Sequence, residues 1–404
     1  MSVKDLLSSL ISQIPKGLFG LERQEFISSL LDSQTQETKR VFKETLDGFL
    51  LKMLKIEASD IDLGGVGCAG RVWYRVHGVK RPDLEIGSFS LDETDILLQN
   101  LPMKRQRTFL FENRNLDFSY SVHENGRWNR FRADMYFDLN RIALNMRLVE
   151  NRCRPFKDLG LHPNVARVLN LQHVKQGLTL VTGITGTGKS TTLDSIIDAT
   201  NRTVDAHIVI IGAPIEMVHE SKRCVIRHRE VGKDVLSFKE GTIQALRQDP
   251  DIIVIGEMRD PETIMTALEV TDSGHKVFST LHTASAVESI DRIIGECPPE
   301  EQERVRNRLA DTLICVISQK LVPALDGKRT LAKEVMLMTP PVKSAIKNNN
   351  TSEIYQMITE SGNQGMNTME QDLMRLVRER TISRETAMDY ANNKRRMQRL
   401  LTPM

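Results

Sequence analysis

Residues 178–192 read LTLVTGITGTGKSTT, and this stretch decides what kind of fold surrounds it. The run over 178–182 is short, apolar and β-branched, which predicts a buried strand. It leads into the pattern Gly-x-x-x-x-Gly-Lys-Ser, after which the apolar spacing over 191–197 predicts a helix. A strand, a glycine-rich loop of this length and a helix, in that order, form the context in which phosphate-binding loops occur.

Each residue type in this loop has a physical reason to be there. Glycines let the backbone turn so that consecutive N–H groups point into one concavity, and the N-terminus of the following helix attracts anions. Lys189 places a positive charge on the β- and γ-phosphates, and the hydroxyl of Ser190 is a natural ligand for Mg²⁺. We therefore predict that the chain binds a nucleoside triphosphate, rather than forming a glycine-rich turn without a ligand. The predicted binding residues are Gly183, Thr185, Gly186, Thr187, Gly188, Lys189, Ser190 and Thr191.

Length and composition narrow the class of protein. A chain of 404 residues is longer than one hydrophobic core usually supports, so two or three domains are expected. Its 40% hydrophobic and 27% charged residues are ordinary for a soluble globular protein. A net charge of +2 and an aromatic content of 5% offer little for binding nucleic acid. We therefore predict no nucleic-acid partner, and a RecA-type nucleic-acid motor is disfavoured.

Apolar runs and cysteines indicate the compartment. No apolar run approaches the length that spans a bilayer, and residues 1–20 lack the basic-then-apolar pattern of a secretory signal. The five cysteines are scattered without a Cys-x-x-Cys pair, which favours reduced thiols and argues against a structural zinc site. A cytoplasmic protein is the prediction.

The pattern of apolar, polar and turn-forming residues along the chain predicts its domain boundaries. Apolar residues at helical spacing fill the first fifty residues, and short strand patterns with turns follow. Prolines and polar residues then mark a linker, beyond which strand and helix patterns alternate as they do around a parallel sheet. The predicted parts are a helical extension (1–50), a first α/β domain (51–153), a linker (154–163), a second α/β domain (164–340) and a helical region (341–404).

Two predicted strands of the second α/β domain are followed by candidate catalytic residues. The predicted strands of this domain cover 178–182, 206–211, 251–255 and 276–281. Glu257 follows the third of them, just ahead of a helix that Asp260 caps, so it can hold the Mg²⁺ shell or orient a water for attack on the γ-phosphate. His282 follows the fourth, and it is either a structural histidine or a sensor of the γ-phosphate.

Many arginines lie on a strand-like pattern over 127–148. They are either a solvated, charge-rich face of a sheet or include residues that reach the nucleotide of a neighbouring subunit, and composition leaves both interpretations open. A second basic cluster, at 394–399, is interpreted as a solvated helix end rather than a nucleic-acid patch.

In combination these motifs resemble those of the secretion-type ATPases that power type IV pili, type II secretion and type IV secretion. The resemblance lies in the P-loop and in the segments ALRQDPD (245–251), GEMRD (256–260), GH (274–275) and TLHT (280–283). It covers most of the chain and is greatest to the PilT branch. The segments APIE (213–216) and QKLVP (319–323) are similar to DotB/TraJ-like motors. The long extra N-terminal domain and four-cysteine zinc insertion of pilus-assembly and type II enzymes are missing from the sequence.

This resemblance implies an α/β homohexamer whose subunits each join a PAS-like N-terminal domain to a RecA-like ATPase domain. It implies that ATP lies between the two domains, with Mg²⁺ held by Ser190 and, through water, by Glu257. In the family, arginines of the N-terminal domain reach the phosphates; carried over, these are Arg130, Arg132 and Arg147. Glu257 corresponds to the Walker B glutamate of the family, and His282 corresponds to its histidine box.

The sequence departs from the family at the Asp box, which usually reads Glu-Asp-Pro-Ile-Glu and whose first glutamate is regarded as catalytic. Here Gly212 and Ala213 replace the first two acids. Loss of such a residue typically costs about 10²- to 10⁴-fold in rate, so either Glu257 or Glu216 takes the role or hydrolysis is slow. A PilT segment that follows the ATPase domain is matched only loosely by 342–348, which leaves retraction open.

Two functions follow from these residues. The first is a hexameric ATPase that drives a type IV pilus, of the retraction type, or a related secretion or conjugation machine. It would work from the cytoplasm on an inner-membrane platform protein. The second is a weakly hydrolysing, nucleotide-binding accessory subunit beside a competent paralogous motor. The replaced acids at Gly212 and Ala213 favour the second function, whereas the intact P-loop, Glu257 and His282 favour the first.

Overall fold

A computed structural model describes residues 2–124, 126–149 and 153–402, and the chain divides into two compact units. The first unit comprises residues 1–151 together with 213–217, and the second comprises 152–212 and 218–404. Each unit contains its own β-sheet. The predicted α/β class is therefore confirmed.

The first unit is built on an antiparallel sheet of six strands. Its strands are β1 (Ala58–Gly64), β2 (Trp73–Val76), β3 (Val79–Pro82), β4 (Asn115–Glu124), β5 (Arg127–Asp138) and β6 (Arg141–Val149), in the order β3-β2-β1-β6-β5-β4. Its helices are α1 (Val3–Ile11), α2 (Gly20–Asp32), α3 (Gln36–Lys55), α4 (Leu91–Gln99) and α5 (Lys104–Asn113). The arginine-rich stretch forms the hairpin β5–β6. Its two turn residues, Leu139 and Asn140, both have positive φ, a geometry that matches the twist of paired strands.

The helices at the start of the chain belong to the core of this unit. Leu7 of α1, Ile27 of α2 and Phe42 of α3 are fully buried, in one cluster with Phe131 and Met135 of β5. Each helix contributes one apolar stripe to this cluster, as its helical spacing predicts. The stripes at the start of the chain therefore serve packing within the chain.

The second unit is built on a seven-stranded sheet that is parallel except at one edge. Its strands are β7 (Gly177–Thr182), β8 (His207–Gly212), β9 (Val225–Glu230), β10 (Ile252–Ile255), β11 (Lys276–Leu281), β12 (Leu313–Pro323) and β13 (Arg329–Leu337). Its helices are α6 (Pro163–Leu169), α7 (Lys189–Thr203), α8 (Phe238–Ala245), α9 (Pro261–Asp272), α10 (Ala286–Gly295), α11 (Gln302–Thr312), α12 (Pro340–Lys347), α13 (Ile354–Glu360), α14 (Met369–Arg378), α15 (Arg384–Tyr390) and α16 (Lys394–Leu401). The strand order is β13-β12-β7-β11-β10-β8-β9.

All four strands that the sequence predicts for this unit are present. β7, β10 and β11 are buried at every position, which explains why they stand out as continuous apolar runs. β9, β12 and β13 were not predicted. β9 is an edge strand whose middle is charged, and β12 begins directly after α11, so that no turn residue marks where the helix ends.

The C-terminal helices complete the second unit. α14, α15 and α16 form a separate apolar cluster with β12 and β13, in which Met369, Leu373 and Met397 are buried against Val322 and Ala332. A polar stretch that includes residues 348–350 separates α12 from α13. The chain after the sheet is thus helical, as the sequence predicts.

Lys276, at the start of β11, is a buried charge within this fold. It is fully buried, and its Nζ donates to the carbonyl oxygens of Val168 (2.8 Å) and Val174 (2.9 Å). Burial lowers the pKa of Lys276 to about 8, from an ordinary value of 10.5. Between these two values the unfolded chain holds more protons than the folded one, so this lysine makes the free energy of unfolding rise with pH across that window.

We expect Lys276→Met to lose this rise. Both proteins are unfolded in urea at pH 7.5 and at pH 10. The free energy of unfolding of the wild type, relative to that of the variant, should be higher at pH 10 by on the order of 1–3 kcal/mol. Comparing the two proteins cancels the titration of all other groups. An identical pH dependence in both would show that Lys276 keeps an ordinary pKa in the fold.

Candidate functional site

The carboxyl ends of three neighbouring strands bring predicted site residues to one edge of the second unit's sheet. β11 lies between β7 and β10, parallel to both. Leu281 pairs with Thr182, and Ser279 pairs with Ile255, so the three strands end at nearly the same level. Because neighbouring strands lie about 4.8 Å apart, the chain segments that leave the three strands are within about 10 Å of one another.

The loop between β7 and α7 has the conformation that its glycines predict. Gly183 (φ 150°), Gly186 (φ 81°) and Gly188 (φ 86°) all have positive φ, a region that favours glycine. A Cβ at Gly183 would lie 2.4 Å from Oγ1 of Thr187 and 2.6 Å from the carbonyl oxygen of Gln319, so a larger residue does not fit. α7 begins directly after Gly188, which places the helix N-terminus at the end of the loop.

Lys189 is folded back onto this loop. Its Nζ donates to the carbonyl oxygens of Gly183 (2.7 Å) and Ile184 (3.2 Å). Thr185 and Gly186 form an exposed tip, whereas Ser190 and Thr191 are partly buried on the first turn of α7. The structure therefore brings all the predicted nucleotide-binding residues together in one continuous loop and helix start.

Gln319 braces the loop from the neighbouring strand β12. The residue is 1% exposed, and its Nε2 donates to the carbonyl oxygen of Thr187 at 2.8 Å. Its Oε1 accepts from the hydroxyl of Thr192 on α7 at 3.0 Å. One buried amide thus ties the loop to the helix that follows it. Sequence reasoning assigned Gln319 no role, because β12 was not predicted.

Glu257 and His282 meet at the same edge, one strand apart. Oε2 of Glu257 lies 3.7 Å from Nε2 of His282, and the same oxygen forms an ion pair with Nε of Arg259 at 2.6 Å. The Glu257 side chain is 15% exposed and that of His282 is 36% exposed, so both are open to a ligand. Glu257 and His282, which follow the third and fourth predicted strands, are therefore neighbours in the fold. Arg259 was missed as a site residue, although it lies in the quoted GEMRD segment.

His282 lies in a positively charged environment. Burial lowers its pKa below the ordinary value, and the charges of Lys189, Arg259 and Arg292 act in the same direction, while Glu257 opposes them. Near pH 7 the ring is therefore mainly neutral, so one of its nitrogens can donate a hydrogen bond while the other accepts.

Four predicted site residues lie in the first unit instead. They are Arg130, Arg132, Arg147 and Glu216. Arg147, on β6, donates from Nε to Oδ1 of the buried Asp60 at 2.8 Å. The P-loop belongs to the second unit, so the contact of these four residues with phosphates stays a prediction.

The segment that replaces the Asp box connects to β5. β8 ends at Gly212, and the residues after it group with the first unit. Arg130 donates to the carbonyl oxygen of Ile215 at 2.7 Å, and Arg132 lies 3.8 Å from Glu216. The edge formed by β7, β11 and β10 therefore presents Glu257 rather than an acid from the end of β8.

The donor set at this edge fits the predicted Mg²⁺. The Ser190 hydroxyl and the Glu257 carboxylate are hard oxygen ligands of the kind that Mg²⁺ prefers. Across the described ranges, no group of three or more His, Cys, Asp or Glu residues could hold a metal ion by itself. Mg²⁺ at nucleotide sites is commonly bound through one or two side chains together with substrate phosphates and water. In the same ranges, no helix combines the length and apolar character needed to cross a membrane.

The fold and the site together define a P-loop nucleotide-binding protein. The chain belongs to the Type II/IV secretion system protein family, whose model matches residues 35–397. The RecA-like fold and the resemblance to secretion ATPases predicted from the motifs are confirmed by this match and by the solved structures below.

Individual relatives point to the PilT branch. The type IV pilus retraction ATPase PilT of Pseudomonas aeruginosa is 39% identical over 335 residues, which cover 83% of this chain and 94% of that protein. A crystal structure of the pilus retraction motor PilT with bound ADP has a TM-score of 0.77 at 35% identity and covers 87% of this chain and 98% of its own. The Legionella pneumophila ATPase DotB has a TM-score of 0.74 at 25% identity, covering 84% of this chain and 94% of its own.

Replacing Gln319 tests the brace. Gln319→Leu keeps the volume but leaves the Thr187 carbonyl and the Thr192 hydroxyl without their amide partner in a buried place. We expect a loss of about 1–3 kcal/mol in the free energy of unfolding, measured in urea, together with weaker nucleotide binding. Gln319→Glu is the control that keeps an acceptor for Thr192. Unchanged stability and affinity in Gln319→Leu would show that the loop holds its shape without the brace.

Proposed function

We propose that this chain is the ATPase motor of a type IV pilus, of the retraction type, or of a related type IV secretion machine. The observation that carries the proposal is the meeting of the P-loop, Glu257 and His282 at one sheet edge. The identity of 39% to a pilus retraction ATPase over 83% of the chain supports the type of machine. The related motor structure with bound ADP supports the nucleotide.

In this proposal ATP binds with its β- and γ-phosphates in the P-loop. Lys189 exchanges the carbonyl oxygens of Gly183 and Ile184 for phosphate oxygens, and the backbone N–H groups of the loop donate to the phosphates. Ser190 and, through water, Glu257 hold Mg²⁺, which when bound neutralises charge that develops on the phosphates. The chain is then an ATPase whose substrate is ATP.

Glu257 orients the water that attacks the γ-phosphate in line. It takes this role because Gly212 and Ala213 carry no carboxylate at the end of β8, whereas Glu257 lies at the edge that also carries the P-loop. His282, mainly neutral near pH 7, donates a hydrogen bond to a γ-phosphate oxygen and so responds to its presence.

Arginines of the first unit complete the proposed machinery by stabilising transition-state charge. They are Arg130, Arg132 and Arg147, and residues in this role contribute about 10³- to 10⁵-fold in related phosphoryl-transfer systems. Arg132 lies 3.6 Å from Asp117 and 3.8 Å from Glu216, and all three side chains are well exposed. Each such pair is worth only about 0–1 kcal/mol, so Arg132 is easily released to a phosphate. Arg147 remains 69% exposed despite its contact with Asp60.

The motor is proposed to act as a homohexamer in the cytoplasm, docked on an inner-membrane platform protein, with the linker residues 154–163 absorbing its movement. The description of the related structure as a pilus retraction motor supports mechanical work. Expression of this chain in a bacterium that lacks its own retraction ATPase tests the assignment to a pilus, and twitching should be restored. Failure to restore twitching despite normal ATP turnover would favour a secretion machine.

A second candidate function is a weakly hydrolysing accessory subunit that works beside a paralogous ATPase. The observation that favours it is the end of β8, where Gly212 and Ala213 stand in place of two acids. Turnover in isolation separates the two functions, because an accessory subunit needs its partner.

Steady-state phosphate release with Mg²⁺ and ATP tests the proposed function. The wild type is expected to turn over, and Lys189→Ala to lose both ATP binding and turnover. Glu257→Gln should bind ATP within a few-fold of the wild type while losing about 10²- to 10⁴-fold in rate, because the amide cannot act as a base. Glu262→Gln, at an exposed carboxylate on α9, is the matched control and should be unaffected.

Two outcomes would contradict this assignment. Full activity in Glu257→Gln would move the catalytic role to another acid. Little turnover in the wild type, rescued by Gly212→Glu, would mean that the site is built for binding and that the accessory function is correct.

A further inference from the structure

Arg259 is held beside Glu257 by the way in which the chain leaves β10. Met258, between them, is buried, and its N–H donates to the carbonyl oxygen of Thr280 at 3.2 Å, which ties the segment after β10 to β11. Asp260, the next residue, caps the first turn of α9. Glu257 and Arg259 lie on either side of Met258 in the chain, and their side chains meet at 2.6 Å. The backbone on both sides of Arg259 is therefore fixed.

Only part of the Arg259 guanidinium is engaged. Its Nε forms an ion pair with Oε2 of Glu257 at 2.6 Å, and no other partner of its side chain occurs within the described ranges. The Arg259 side chain is 69% exposed, whereas Glu257 is 15% exposed. Its two Nη groups are thus open to a ligand, and the planar fork of an arginine matches the oxygens of a phosphate.

His282 connects Arg259 to the phosphate end of the site. The Glu257 oxygen that pairs with Arg259 also lies 3.7 Å from the His282 ring. The positive charges of both Lys189 and Arg259 act on that ring. Lys189, in the P-loop, is where the terminal phosphates bind in the proposed function. Arg259 therefore lies on the phosphate side of the sheet edge rather than on a remote surface.

A purely structural role does not account for this pair. Ion pairs with a well-exposed partner add little to the stability of a fold, because water competes for the exposed charge. The backbone around Arg259 is already held by Met258 and by the helix cap at Asp260. What the pair does determine is the orientation of one oxygen of Glu257.

We propose that Arg259 is a positioning residue that couples Glu257 to the terminal phosphate of ATP. Its Nε holds the carboxylate while its exposed Nη groups bind a γ-phosphate oxygen, so Glu257 is aimed at the attacking water only when that phosphate is present. The proposal rests on the function proposed above and adds a residue that distinguishes ATP from ADP.

Nucleotide affinities provide the first test. Isothermal titration with Mg²⁺ and either ADP or the non-hydrolysable analogue AMP-PNP is carried out on wild type, Arg259→Gln and Arg259→Lys. Arg259→Gln is expected to weaken the affinity for AMP-PNP by about 10- to 100-fold, because a charged hydrogen bond to the γ-phosphate is lost. The affinity for ADP should change by less than about threefold. Arg259→Lys, which keeps the charge but not the fork, should fall in between. Arg304→Gln, at an arginine that is 55% exposed and paired with Glu301, is the matched control.

Turnover provides the second test. Arg259→Gln should lower kcat by about 10²- to 10³-fold, and in a Glu257→Gln background the same change should cost less than about threefold, since it acts through Glu257. Equal weakening of ADP and AMP-PNP, or a kcat within twofold of the wild type, would overturn the proposal. A wild type without turnover would contradict the proposed function alone, because the comparison of ADP with AMP-PNP still decides the role of Arg259.

Discussion

The chemistry of the second unit depends on the parallel pairing of β11 with β7 on one side and β10 on the other. Backbone hydrogen bonds fix the level at which each strand ends, so the P-loop, His282 and Glu257 leave the sheet side by side. A slip of one residue in either pairing would move a strand end by about 3.3 Å and turn its side chains to the opposite face. The site is thus specified by sheet register more than by any single side-chain contact.

A second constraint is the shape of the P-loop itself. Its three glycines adopt positive φ, and glycine loses the most conformational freedom on folding, so the loop needs contacts that hold it. The carbonyl oxygens that accept from Lys189 and the buried amide of Gln319 supply them. Gln319 lies on β12, which also packs against the C-terminal helices. The conformation of the nucleotide loop is therefore linked to elements far along the chain.

Sequence reasoning succeeded where local signals were strong. The buried parallel strands appeared as apolar runs, and Asp260 announced α9 as its cap. It failed for β9, whose charged middle suits an edge strand, and for β12, which no turn separates from the preceding helix. The contact of Arg259 with Glu257 depends on how Met258 is anchored to β11, and a pattern along the chain carries no such information. Side-chain contacts that depend on how neighbouring strands pair can be identified only from the structure.

Gly212 and Ala213 stand in place of two acids at the end of β8. The central claim is therefore that Glu257 alone orients the water that attacks the γ-phosphate. A structure of the protein with Mg²⁺ and AMP-PNP tests this claim most directly. We expect Lys189 to have left the carbonyl oxygens of Gly183 and Ile184 for the terminal phosphate, with Glu257 and His282 facing that phosphate. A terminal phosphate that lies against Glu216, with Glu257 turned away, would contradict the account.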